Sequence, residues 1–149
     1  MKIIKEPNEL LHKITSPVDN INSKIKKLIS EMKKTMVENN GIGIAANQVG
    51  IDLAIFVIDE KLAAENRVPQ TYINPEIKPY SKIKDVLEEG CLSLPGIWVR
   101  VGRLKKVKVK ALDEKGNKIR FIAKGLLARV LQHEYDHLQG VLIKDREEK

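Results

Sequence analysis

The sequence predicts an α+β fold in which mostly antiparallel strands wrap one central helix carrying a His-Glu-x-x-His set of metal ligands. Three observations predict it. Near the C-terminus, Gln132-His133-Glu134-Tyr135-Asp136-His137 lies within an apolar stripe of helical period. Between Leu53 and Ala123 the chain breaks into short apolar or alternating runs separated by Gly, Pro, Asn and Asp, the pattern of strands and turns. One further helical stripe, Asn20 to Asn40, precedes them. The 149 residues, 42% hydrophobic and 32% charged, suffice for one substantial core, so residues 1–149 are expected to form a single domain.

The opening run, Met1-Lys2-Ile3-Ile4-Lys5-Glu6-Pro7, is far too short in apolar residues for a secretion signal, and nothing reaches the roughly 18 apolar residues of a membrane span. A cytoplasmic protein with no membrane partner is expected. A single cysteine excludes an intrachain disulfide and fits a reducing compartment, where a thiolate ligand survives. From Asn20 to Asn40, the residues Ile21, Ile25, Leu28, Ile29, Met32 and Met36 recur at helical spacing with lysines between them, and Asn40-Gly41 supplies the stop. This helix is expected to pack behind the metal-binding helix and to deliver the chain into Gly41-Ile42-Gly43. That loop makes a poor phosphate cradle, because it follows a helix and lacks a third glycine and a following acidic residue. Close backbone approach to a peptide suits it better.

Leu53 to Ile58 is a continuous apolar run, and Thr71 to Ile73 is a short one ended by Asn74-Pro75. Ala63 to Pro69 between them reads as a surface loop. Ile83 to Leu87 leads into Glu88-Glu89-Gly90-Cys91, a strand end entering a turn. Ile97 to Arg103, Lys106 to Leu112 and Lys118 to Ala123, with a turn at Asp113-Glu114-Lys115-Gly116-Asn117, read as an antiparallel meander. A net charge of +7 and a pI of 9.4 raise the question of nucleic acid. In the densest basic stretch, however, Lys106, Lys108 and Lys110 alternate with Val107 and Val109, which is one buried face and one solvated lysine face. With only 4% aromatic residues, stacking platforms for bases are scarce, and no DNA partner is expected.

The C-terminal helix carries the chemistry. Gly125 precedes Leu126, Val130, His133 and His137, whose spacing puts both imidazoles on one face and continues a stripe expected to face the core, with Gly140 as a C-cap. Two histidines four apart can bind one metal ion. Glu134 projects roughly 100° around the helix from His133, within reach of a water at that ion, where a general base is needed. A catalytic ion takes three protein ligands, and Cys91, the only cysteine, is the candidate for the third. A Cys-His-His set suits zinc or ferrous iron on softness alone.

Gly41-Ile42-Gly43-Ile44-Ala45-Ala46-Asn47-Gln48, then Glu89-Gly90-Cys91-Leu92-Ser93, then Gln132-His133-Glu134-Tyr135-Asp136-His137-Leu138 resemble, in order, the three signature motifs of the peptide deformylases. The resemblance runs from about Met1 to about Asp145. It implies hydrolysis of the N-formyl group of formyl-methionine on newly made polypeptides, with iron(II) as the metal and zinc, nickel or cobalt as replacements. It also implies that the Gln48 amide and the backbone N–H of Leu92 meet the developing oxyanion. Ile42, Gly43, Leu126 and Val130 would wall the methionine pocket. Arg103 either pairs with Glu89 as a brace for the Cys91 turn, or both are plain surface charges.

Three departures from the family pattern accompany the match. Arg129 stands where the family commonly has an apolar residue, and its stem is expected to cover the pocket while its charge stays in water. Asn47 stands where Pro or Thr is frequent, read here as a tolerated loop variation. Only 12 residues follow His137, where many members continue into a longer helix implicated in ribosome docking. Weak ribosome contact is therefore expected through the basic strand, from a monomer. The rival readings are a basic binding module with a structural metal, against which stand the lone Cys91 and the single further histidine, His12, and an endopeptidase or a deacylase of other N-acyl groups.

Overall fold

The computed structural model describes residues 1–148. Helix α1 (Ser23–Glu38) starts where the Asn22 side chain accepts a hydrogen bond from the Ile25 amide, and Asn40, at φ 55, turns the chain into the glycine loop. The strands are β1 (Gly43–Ala45), β2 (Ile55–Ile58), β3 (Thr71–Pro79), β4 (Lys84–Cys91), β5 (Leu94–Leu104), β6 (Lys106–Leu112) and β7 (Lys118–Lys124). Helix α2 (Glu60–Glu65) links β2 to β3, and α3 (Gly125–Leu138) follows β7.

Five strands form one antiparallel sheet in the order β1-β2-β3-β6-β7, while β4 and β5 form a separate two-stranded hairpin. The unbroken apolar run of β2 follows from its cover. Phe56 and Ile58 pack with Leu127, Ala128 and Leu131 of α3, and Ile55 and Val57 pack with Ile29, Met32 and Met36 of α1. A strand buried on both faces has no polar alternate. Helix α1 therefore lies across the sheet from α3 rather than behind it as the sequence suggested; two amphipathic helices can share one sheet by taking opposite faces. No helix among the described residues is long and apolar enough to cross a membrane.

Three further expectations change. The start of the loop expected from Ala63 belongs to α2, because Asp59 caps Leu62 and buries Leu62 and Ala63 beside the core. Asn74-Pro75 does not end β3: a register shift between Ile73 and Glu76, with Asn74 at φ 50, absorbs the proline as a bulge and the strand resumes to Pro79. The meander is broken too, since β5 pairs with β4 and β6 inserts between β3 and β7. Pattern gives strands but not their partners.

The half of the α1-side sheet face that α1 leaves uncovered carries the lysines. Lys78 lies opposite Lys108, Lys106 opposite Lys124, and Lys110 opposite Arg120, all exposed. Glu76 forms an ion pair with Lys78 at 3.0 Å on this surface.

Candidate metal centre and active site

Helix α3 and the β4–β5 turn meet where the ligands lie. His133 Nε2 and His137 Nε2 are 3.3 Å apart, Cys91 Sγ is 3.3 Å from His137 Nε2, and one donor atom from each of the three falls within 4.8 Å of the others. Two nitrogens bound at about 2.0–2.1 Å to one tetrahedral ion stand about 3.3–3.4 Å apart, so the donors are spaced to share an ion. The electrostatics agree with the spacing. Burial opposes a charge on His133, but Cys91 and Glu89 on either side favour one and push its pKa up to about 10. Surroundings that favour a proton there also favour a metal cation. Burial, and then the charge on His133, push His137 down, so the pair accommodates one such charge.

Local sequence explains how each ligand arrives. The β4–β5 register shifts between Glu89 and Cys91, a bulge at Gly90 that re-aims the cysteine. A Cβ at Gly90 would meet the Trp98 ring at 2.9 Å, so only glycine lets the indole cross the strand there. At the other end, α3 closes with Val141 N–H donating to Asp136 O at 2.9 Å and Gly140 at φ 73, which fixes the helix just past His137.

Glu134 is buried against β1, and its Oε1 has no hydrogen-bond partner among the described residues. Burial pushes its pKa up to about 7. Gly43 has no room for a side chain, since a Cβ there would sit 2.7 Å from Glu134 Oε2. Gln48 is held at both ends of its amide: Oε1 accepts from Ala45 N–H at 3.0 Å, and Nε2 donates to Ser93 Oγ at 3.1 Å while pointing at Cys91 Sγ, 3.6 Å away. Leu92 occupies the tight turn after Cys91 and lines the same cleft. That cleft, of about 530 Å³, is also lined by Ile42, Gly43, Leu126, Val130, Ile97 and Trp98. Leu126 was expected to face the core, but it is 56% exposed at the rim, because the helix's first turn extends beyond the sheet's cover.

Behind the ligands lies a buried ionic cluster. Arg103 donates to both oxygens of Glu89, at 3.0 and 2.9 Å, and also to Asp136 Oδ2. Glu89 Oε1 lies 2.9 Å from His133 Nδ1, so in the neutral imidazole with its proton on Nδ1 it is Nε2 that is available to a metal ion. The plain surface-charge alternative for Glu89 and Arg103 is thus set aside: both are buried. Arg129 corrects the sequence reading most sharply. Its charge is not in water but 8% exposed, bonded to Glu89 Oε2, because that carboxylate oxygen, which Arg103 Nε also meets, and two strand carbonyls lie within its reach. Asn47 is likewise no free loop variation, since its buried Nδ2 donates to His137 O at 2.6 Å. Asp136, Trp98 and Arg146, which donates to both oxygens of Asp136 at 3.0 Å each, escaped the sequence reading. The signals were an aspartate facing away from the histidines within the motif and the single tryptophan, which is 67% exposed.

A Cys-His-His donor set beside a buried glutamate, opening into an apolar cleft, defines a hydrolase centre able to hold a metal ion. The chain belongs to the polypeptide deformylase family, whose sequence profile matches residues 1–149. It is 51% identical over 140 residues to peptide deformylase 1 of Clostridium perfringens, covering 94% of this chain and 92% of that protein. The crystal structure of peptide deformylase from Thermotoga maritima superposes with a TM-score of 0.92 at 40% identity, covering 99% of this chain and 97% of that one. The Synechococcus elongatus enzyme, solved in complex with actinonin, gives 0.92 at 39% identity, covering 99% of this chain and 79% of that one. The protein is thus a peptide deformylase, a hydrolase that removes the N-formyl group from nascent polypeptides.

Proposed function

We propose that residues 1–149 act as one domain that cleaves formyl-methionine at the start of new polypeptides by means of one divalent ion held by Cys91, His133 and His137. The observation that carries this reading is the 3.3 Å spacing of the donors beside Glu134 Oε1, a buried carboxylate oxygen without a partner among the described residues. Lewis acidity is what a divalent ion supplies at this position, polarising the formyl oxygen and making the attacking water more acidic. The family resemblance favours iron(II), with zinc, nickel or cobalt as replacements, and the soft thiolate is compatible with each.

Glu134 takes the proton from the attacking water and returns it to the leaving nitrogen as the formyl C–N bond breaks, giving formate and a free amine. The Gln48 amide, aimed by Ala45 and Ser93, and the Leu92 N–H donate to the developing oxyanion; a donor so placed contributes about 3–4 kcal/mol. Ile42, Gly43, Leu126 and Val130 wall the methionine side chain, with the Trp98 and Ile97 side of the hairpin opposite. Glu89 and Arg103 orient His133. The lone thiolate ligand supports a reducing, cytoplasmic setting, and the uncovered lysine face supports weak ribosome contact.

Formate release from a formyl-Met tripeptide tests this, using protein purified anaerobically with its metal quantified. Release near one metal per chain, abolished in Glu134→Ala with metal retained, is expected. Metal-loaded protein that releases no formate, or Glu134→Ala with undiminished turnover, would overturn it.

A further inference from the structure

Hairpin β4–β5 carries Cys91 but shares no ladder with the five-stranded sheet, whereas α3, which carries both histidines, is packed on that sheet. The distance between the cysteine and the histidine pair therefore depends on side chains that tie the hairpin to the helix. Gln132 makes one tie at the far end of β5, through Leu104 N–H and O. Arg103 of β5 makes a second through Asp136, and Glu89 of β4 a third through His133; Arg129 makes a further one, close to the centre. One turn before His133, its Nη1 donates to Glu89 Oε2 and to Val101 O at 3.1 Å, and its Nη2 donates to Asp85 O at 2.9 Å. Asp85 and Glu89 lie on β4 and Val101 on β5, so one guanidinium holds both strands.

Charge balance alone does not call for it. Arg103 already meets Glu89 with two hydrogen bonds, and burying a second guanidinium carries a large desolvation cost. What Arg129 adds is geometry. With Arg103 Nε and Arg129 Nη1 both on Oε2, the carboxylate has a fixed rotation, and Oε1 stays aimed at Arg103 Nη2 and His133 Nδ1. We propose that Arg129 is a positioning residue of the metal centre: its forked head locks the Cys91 hairpin against the helix of His133 and His137 and fixes the Glu89 carboxylate that orients His133. A planar fork with several fixed donors can do this, and a point charge cannot.

The inference rests on the metal reading above, and its test keeps the two apart. Zinc affinity of wild type, Arg129→Met and Arg129→Lys is measured by chelator competition from the loaded protein, alongside the thiolate-to-metal absorption of the cobalt(II)-substituted forms and the melting temperature. Arg129→Met is expected to bind zinc about 10–100-fold more weakly, with an altered cobalt spectrum. Arg129→Lys, which keeps the charge and covers the case in which the methionine variant does not fold, is expected to retain most of that deficit. Affinity and spectrum unchanged in Arg129→Lys would overturn the proposal, as would a change in KM for the formyl peptide alone, which would make Arg129 merely a pocket wall. Wild type that binds no zinc would overturn the metal reading and this inference with it.

Discussion

At the residue scale, the site depends as much on atoms left out as on those present. Gly43 is the clearest case: it has no unusual backbone angle, yet an added methyl would stand 2.7–2.9 Å from the Glu134 carboxyl group. The nearest atoms belong to the very group that must be placed to within a few tenths of an ångström, so the cost falls on catalysis rather than on folding. Gly43→Ala should lower kcat about 100-fold or more, the scale of general-base catalysis, while metal content and melting temperature stay near wild type. A variant with unchanged kcat would show that Glu134 tolerates displacement. The candidate ligands His133 and His137 and the candidate base Glu134 were legible in the sequence because their spacing is local to one helix, and Cys91 because it is the only cysteine. The partners of Arg129 and Asn47 were not, since Glu89, Asp85 and Val101 are 28–44 residues from Arg129 and His137 is 90 from Asn47.

At the element scale, β6 shows how one strand serves two masters. Val107, Val109 and Ala111 enter the core beneath α3, while Lys106, Lys108 and Lys110 form, with Lys78, Lys124 and Arg120, three directly facing pairs of like charge. Such pairs are unfavourable by a few tenths of a kcal/mol to about 1 kcal/mol each, which a phosphate backbone would offset. Replacing Lys106, Lys108 and Lys110 together with Gln should raise the melting temperature and flatten the salt dependence of ribosome binding, with log affinity against log salt losing about 2–3 units of slope. Ribosome binding that ignores salt in the wild type would refute this contact. The period of β6 was readable from its lysines, but its neighbours were not: strands that follow one another, β5 and β6, sit in different sheets.

At the scale of the whole molecule, the buried ionic cluster couples the centre to stability. Burial by itself would raise the Glu89 pKa, but hydrogen bonds from His133 and Arg103, and the charge of Arg103, outweigh it and hold the carboxyl well below the usual carboxylate range. A folded pKa below the unfolded value of about 4.3 means that this stabilisation is complete above that pH and is lost as pH falls toward the folded value. With chelator present throughout, so that metal release does not contribute, the wild-type melting temperature should fall steeply below about pH 5. Glu89→Gln, already less stable at neutral pH by about 3–5 kcal/mol for breaking a buried pair, should fall less over the same interval. Parallel curves would mean that Glu89 contributes no linkage.

The sequence by itself determined the α+β class, the helix that presents His133, Glu134 and His137, Cys91 as the candidate companion that the fold brings beside them, and the family, because each rests on local periodicity or on motifs a few residues long. Only the tertiary structure decided that α1 and α3 take opposite faces of the sheet, that β3 runs through its proline, that β4–β5 stands apart as a hairpin, and that Arg129 turns inward to Glu89. Those outcomes depend on which distant groups come within hydrogen-bonding reach once the core has formed, and hydrophobic pattern along a chain holds no record of partners across it.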